Sequence, residues 1–414
     1  MKRVLILTVF AILAASVSLA EMTDVRIGGE IRVRGEKVTS GADGIKDQGR
    51  VPQRLRVNLN ARMNETTKGY VSLQDSRIWG KEEDTADTGD EKEAVDVSQA
   101  WFQLDQVAGQ PVSVRVGRQA LEYGDQRLVG SFEWSNNARR FDALKLVHST
   151  ETYSIDLWTA KVVEKTVDAP GDNTADDDLD FRGLYVTVKT VPNNIVDLYL
   201  LEDKNDATER DVLTYGLRLE GRLARLDYTG EVAKQTGDFD ADSDQDALAY
   251  AVKAGYTFPG KLGLRIGAEY AFATGDDRVD NKEESFQNLY PENHYLYGLT
   301  DDIDWSNISA WSVNAGAKPA KDLWIGAEYW VYRRAEDVQA VDKGGADVAG
   351  KGTDDAGTEM NLTARYTLNP NVKLEAAWVR RTNGDAKGTE DYYGRQMGKD
   401  KSADFAYIMA NVTF

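Results

Sequence analysis

Arg32 and Arg34 stand two residues apart, as do Arg54 and Arg56, and Arg26, Arg62 and Arg115 hold comparable places in their own segments. In an extended chain, residues i and i+2 share a face, so each pair sets two guanidinium groups side by side. A guanidinium is planar, always charged, and pairs bidentately with a carboxylate. Rows of arginines therefore suit a solute rich in carboxylates. Other chemistries have little to work with. The chain has two histidines and no cysteine, which excludes disulfides, lipoprotein attachment, cysteine-ligated zinc, iron–sulfur clusters and covalently attached haem. His148 and His294 lie in no recognisable nucleophile motif, so enzymatic activity is not expected. The aspartates of "DFDADSDQD", residues 238–246, are spaced like a calcium loop but lack its glycine and closing glutamate. They read as a solvated acidic loop. No cofactor, metal or nucleic-acid partner is expected.

The elements that position these arginines alternate with period two. "VRIGGEIRVRG" sets Val25, Ile27, Ile31 and Val33 against Arg26, Glu30, Arg32 and Arg34, and "QRLRVNLNARM" sets Leu55, Val57, Leu59 and Met63 against Arg54, Arg56, Asn58 and Arg62. About 18 such segments of roughly 9–12 residues follow one another, the length a tilted strand needs to cross a bilayer. Short, turn-rich links ("NETTK", "VPNN", "FPGK", "KPAKD", "NPN") alternate with long polar ones at 80–94, 163–180, 274–306, 335–357 and 382–402. That rhythm predicts an all-β, transmembrane antiparallel barrel with short periplasmic turns and long extracellular loops. A soluble sandwich does not explain the one-sided loops.

The chain ends agree. Met1 to Ala20 reads as a secretory signal, with Lys2 and Arg3 before an apolar run and small residues before Glu21. One barrel domain is expected over 21–414. Ala406, Ile408, Ala410 and Val412 share a face ending on Phe414, like the assembly signal that barrel-inserting machinery reads. The net charge is −19, or −21 without Lys2 and Arg3, and the latter value is carried by four acidic loops, residues 81–96, 163–180, 237–246 and 335–356. The first five strands keep an arginine excess, whereas later strands mix Arg218, Lys253, Arg265 and Arg365 with Glu220, Asp227, Glu231, Glu269 and Glu328. A one-sided arginine wall in a low-dielectric channel concentrates anions.

"VGRQALEYGDQRLVGSFEWSNNARRFDALKL", residues 116–146, closely resembles the signature of the alginate-export porin family. "RLRVNLNAR", "LQDSRIWG" (73–80), "SQAWFQLD" (98–105) and "NLYPENHYLYGLTDDIDWSN" (288–307) resemble further family segments, in family order. The resemblance implies an outer-membrane barrel of about 18 strands with a cationic pore, and passage of an anionic polysaccharide, oligosaccharide or other small anion by passive diffusion. The alternative is a barrel that sheathes or scaffolds a periplasmic redox or secretion partner.

Strict alternation places Arg118 on the lipid face of Val112, Val114 and Val116, and Asp75 and Arg77 on the face of Val71 and Leu73. An arginine at mid-membrane costs roughly 2–4 kcal/mol. A bulge near Gly117 would turn Arg118 inward, and Asp75 and Arg77 receive the same treatment. The expected pore lining is then Arg32, Arg34, Arg54, Arg56, Arg115, Arg265 and Arg365, with Asp75, Arg77, Arg118, Asp125, Arg127 and Arg140 as a charged belt in the outer half. A constriction is expected from segment 274–306. Its Phe286, Tyr290, Tyr295, Tyr297 and Trp305 suit loop packing, or stacking on sugars.

Overall fold

The computed structural model describes residues 24–40, 47–80, 92–162, 179–276, 281–336, 354–384 and 401–414. The leader expected over 1–20 and much of the acidic segments 81–96, 163–180 and 335–356 lie outside them. Among the described residues, eighteen antiparallel strands close into one barrel, with two short pieces, Gln48–Arg50 and Lys282–Glu283, paired to the sheet. In chain order they are β1 (Asp24–Ser40), β2 (Pro52–Arg62), β3 (Thr67–Ile78), β4 (Lys92–Leu104), β5 (Val112–Gln119), β6 (Phe141–Ser149), β7 (Tyr153–Val162), β8 (Asp180–Val188) and β9 (Asn194–Asn205). They continue as β10 (Arg210–Leu223), β11 (Leu226–Asp238), β12 (Asp244–Thr257), β13 (Arg265–Ala273), β14 (Ile308–Ala320), β15 (Leu323–Arg333), β16 (Asp355–Asn369), β17 (Val372–Thr382) and β18 (Ser402–Thr413). Among the described residues no helix is long and apolar enough to cross a membrane.

Alternation decides which face meets lipid. On β1, Ile27 and Ile31 are exposed while Arg32, Arg34 and Glu36 are buried; on β6, Leu144 and Leu146 are exposed while Phe141 and Ala143 are buried. Val57, Phe102, Leu157, Leu198, Leu200 and Leu217 continue the outer apolar coat. Lipid offers no hydrogen bonds, so every strand edge must find a partner. Closure supplies the last one: β1 pairs with β18 from Glu30↔Thr413 to Ser40↔Ala403. At the seam, the Gly29 N–H donates to the Phe414 carbonyl at 2.9 Å, and the Phe414 N–H donates to the Gly29 carbonyl at 3.1 Å. A Cβ at Gly29 would come within 2.6 Å of Phe414 Cζ, so the missing side chain seats the terminal ring.

Short turns such as 63–66, 150–152, 224–225, 321–322 and 370–371 share a rim with Asp24 and Phe414. That rim is periplasmic by the usual loop asymmetry. From the opposite rim, segments 120–140 and 281–307 fold into the lumen rather than outward. Phe286, Tyr297 and Trp305 are buried there with Phe141, Trp158, Phe181, Trp330 and Tyr332. The wall beside them carries inward Ala247, Ala249, Ala271, Ala273 and Ala310, all fully buried. These small side chains leave the space that the loop rings fill. Each buried large ring contributes about 1.5–3 kcal/mol of transfer free energy, so the docked loops have a core of their own.

Candidate functional site

The two loops first hold each other. Segments 120–140 and 281–307 meet at a parallel bridge, Val129 opposite Tyr290. The Gly130 N–H donates to the Tyr290 carbonyl at 2.7 Å, the Tyr290 N–H to the Leu128 carbonyl at 3.0 Å, and the Glu292 N–H to the Gln126 carbonyl at 2.9 Å. Glu292 also accepts from the Glu133 N–H.

The arginine rows of β1 and β2 then grip segment 120–140. Arg32 donates to the carbonyls of Glu133 (2.6 Å), Trp134 (2.9 Å) and Ser135 (3.2 Å), and to Asn136 Oδ1 (2.8 Å). Arg34 donates to the Trp134 carbonyl at 3.0 Å and stacks its guanidinium 3.6 Å over the Trp134 ring, with Glu36 on its Nε. Arg54 donates to the Glu133 and Ser135 carbonyls and lies 3.0 Å from the Glu133 carboxylate. Arg56 and Arg140 reach the same carboxylate at 2.6 and 2.7 Å. Burial alone would push the Glu133 carboxyl up, but Arg56, Arg140 and Arg54 hold it well below the usual carboxylate range.

On the opposite wall, charges are matched. Arg127 is buried against Glu269, with Glu231 at 3.9 Å, and donates to the Tyr297 hydroxyl at 3.0 Å. Asp125 meets Arg218 and lies 3.4 Å from Lys253. Nearer the periplasmic rim, Arg265 pairs with Asp227 at 2.6 Å and Arg365 with Glu375 at 2.8 Å. Arg115 differs: its Nε donates to the neutral Gln103 Oε1 at 2.8 Å, and its guanidinium lies 4.0 Å from the Trp101 ring.

Three expected belt residues are elsewhere. β5 pairs without a break on both sides, Ala100↔Arg118 and Arg118↔Asp142, with Gly117↔Ala143 and Gln119↔Phe141 on the buried face. Gly117 does take a positive φ of 120°, yet register and parity hold. Arg118 therefore stays on the outer wall, bound to Asp142 at 2.9 Å through both Nε and an Nη. Asp75 and Arg77 keep the parity of Leu73, across from Leu55 and Gln53, and pair with each other at 2.7 Å; the β3–β4 register shifts at Ser72/Leu73 and Gln74/Ser76, and Asp75 is buried while Arg77 is exposed. A carboxylate beside each arginine makes the inward turn unnecessary, because the pair meets the membrane rim as a near-neutral unit.

A family model described as "Alginate export" matches residues 24–397. The chain belongs to the alginate export family. Among solved structures, its fold is similar to Acinetobacter baumannii OccAB4, at 12% identity and a TM-score of 0.66, over 96% of this chain and 100% of that one. It is also similar to Pseudomonas aeruginosa OccK5 (OpdH), at 11% and 0.63 over 95% and 98%, and to OprD of the same organism, at 13% and 0.58 over 95% and 96%. No curated protein matches the chain by sequence. This alginate export family member is an eighteen-stranded barrel of the porin type.

Several residues that hold the lumenal loops of this family member do not stand out in the sequence. Segment 120–140 was read for its charges and not as a loop folded into the lumen. Gln74 donates to Ser76 Oγ at 3.2 Å and accepts from Arg56 Nε at 2.6 Å; alternation along β3 could have found it. His294 stacks on Trp134 with ring centroids 3.7 Å apart and holds Asp301 at 2.9 Å. Of the aromatics expected in 274–306, Phe286, Tyr290, Tyr297 and Trp305 are buried in packing, whereas Tyr295 is 44% exposed and donates to Glu375 at 3.0 Å.

Proposed function

We propose that the barrel is an anion-preferring channel that passes carboxylate-bearing oligosaccharide, polysaccharide or other small anions across the outer membrane by passive diffusion. The observation that carries this reading is the charge count at the loop clamp. Arg32, Arg34, Arg54 and Arg56 converge on segment 120–140, which itself adds Arg140, against Glu30, Glu36, Glu133 and Glu292. A surplus of fixed cations where loops fill part of a low-dielectric lumen favours anions. Acids on the facing wall supply the weak, repeated contacts that let a solute leave. The sheath alternative fits less well, because segments 120–140 and 281–307 already occupy the lumen.

The test is a reversal potential across a salt gradient, with purified protein in a planar bilayer. Chloride should permeate in preference to potassium. Cation preference would sink the reading, and an absence of any preference would favour a scaffold.

A further inference from the structure

Glu133 sits in the clamp as a solute would. Its carboxylate lies 2.6 Å from Arg56, 2.7 Å from Arg140 and 3.0 Å from Arg54. The Glu133 side chain is 39% exposed, while those of the three arginines are 10%, 5% and 3% exposed. The fixed part of the site is therefore the arginines, and the accessible part is the carboxylate.

Each arginine is also held by a partner that does not involve the Glu133 side chain. Arg56 Nε donates to Gln74 at 2.6 Å, Arg140 donates to the Arg139 carbonyl at 2.7 Å, and Arg54 pairs with Glu30 at 2.6 Å. The Glu133 backbone is held separately, since its carbonyl accepts from Arg32 and Arg54. The side chain can leave while both the loop and the guanidiniums stay in place. A second observation points to more ligand than one carboxylate. Arg54 Nε, Arg56 Nη2 and Arg140 Nε are buried and meet no acceptor, and an unpaired buried donor is costly. The cluster has more donors than Glu133 has oxygens.

We infer that Arg54, Arg56 and Arg140 form a preorganised carboxylate-binding site that the protein fills with its own Glu133, and that a polycarboxylate such as a uronic-acid oligosaccharide competes for it. This deepens the channel reading and rests on it. A tethered carboxylate acts at an effective concentration of roughly millimolar or above, so a lone acetate is a poor competitor. A chain of uronates brings several carboxylates to the same spot, with hydroxyl and ring oxygens for the spare donors. The site thus discriminates by valence as well as by sign.

The test uses full-length protein with Glu133→Gln, which is isosteric and keeps the backbone contacts. Block of single-channel current is measured with a tetra-uronate, with a neutral tetrasaccharide of equal length, and with acetate. Glu133→Gln should lower the half-blocking concentration of the tetra-uronate about tenfold or more, the weight of one charge-assisted hydrogen bond. The neutral sugar should be unaffected. Adding Arg56→Met should abolish the gain. Calorimetric binding of the tetra-uronate to Glu133→Gln in detergent gives a readout that needs no ion selectivity. If the wild type shows no anion preference yet calorimetry shows the gain, the channel reading falls and the site stands. An anion-selective wild type whose tetra-uronate block and binding are unchanged by Glu133→Gln, or an equal gain for the neutral sugar, overturns the site alone.

Discussion

Arg118 and Arg56 look alike on paper and differ in what they face. Both stand in alternating segments of the family signature, but Arg118 pairs with Asp142 outside the barrel while Arg56 meets Gln74 and Glu133 inside it. Arg118→Leu should leave reversal potential and solute block unchanged, because the residue is not in the passage. Its effect on thermal stability should be small, since exposed ion pairs contribute about 0–1 kcal/mol. A shift in selectivity with Arg118→Leu, measured in the same bilayers, would return Arg118 to the pore. At this scale parity was the legible signal. Arg32, Arg34, Arg54, Arg56, Arg115, Arg265 and Arg365 follow from alternation, and strict alternation was also right for Arg118 where an inward bulge was expected. What the sequence could not show was occupancy. That Arg32 would be taken up by carbonyls about a hundred residues away depends on a loop path that no local pattern encodes.

The lumenal loops carry the next prediction. Burial pushes the Glu292 carboxyl up to about 7, with Asp301 and Glu133 adding to the rise and the Glu133 N–H opposing it. In the undocked loop an ordinary glutamate titrates near 4.3. A carboxyl that binds its proton more tightly when docked adds most to docking below that value, and the contribution is lost as pH rises through about 7. Single-channel noise from segment 281–307 should therefore be lowest near pH 4–5, rise towards pH 8, and become flat in Glu292→Gln. The same noise at every pH in the wild type would show that Glu292 does not govern docking. The strands were legible because period-two alternation is a local property. Segment 120–140 was not, since its charges mimic strand residues and its anchors, from Arg32 to Tyr290, are scattered along the chain. Segment 274–306 was legible as an inward-folding loop because the turns of the other rim are short, and its aromatics Phe286, Tyr290, Tyr297 and Trp305 are buried in packing.

At the scale of the whole molecule, strand number, antiparallel order and loop asymmetry were read correctly from repetition alone, because a closed barrel repeats one simple rule eighteen times. The seam is the exception to repetition. Phe414 lies over the gap left by Gly29, and its exposed ring closes the outer face of β18. Deleting Phe414 should reduce the amount of protein inserted in the outer membrane while leaving unit conductance of the survivors nearly unchanged; normal insertion on fractionation would remove its role in assembly. Gly29→Leu should act more severely, since a side chain there displaces the ring and crowds the Arg56 carbonyl. Loss of the heat-modifiable band on gels would report an unclosed sheet. Pairing Ile31 with Val412 also joins the two ends of the polypeptide, whereas neighbouring strands join residues a turn apart. The seam contacts are those of highest order among the described residues, so their entropic cost is met only after the hairpins exist. Ring closure is then the last folding event and its reversal the first unfolding one. The lifetime of the barrel would be set at one seam, and a cross-link there should lengthen it more than the same cross-link between any two consecutive strands.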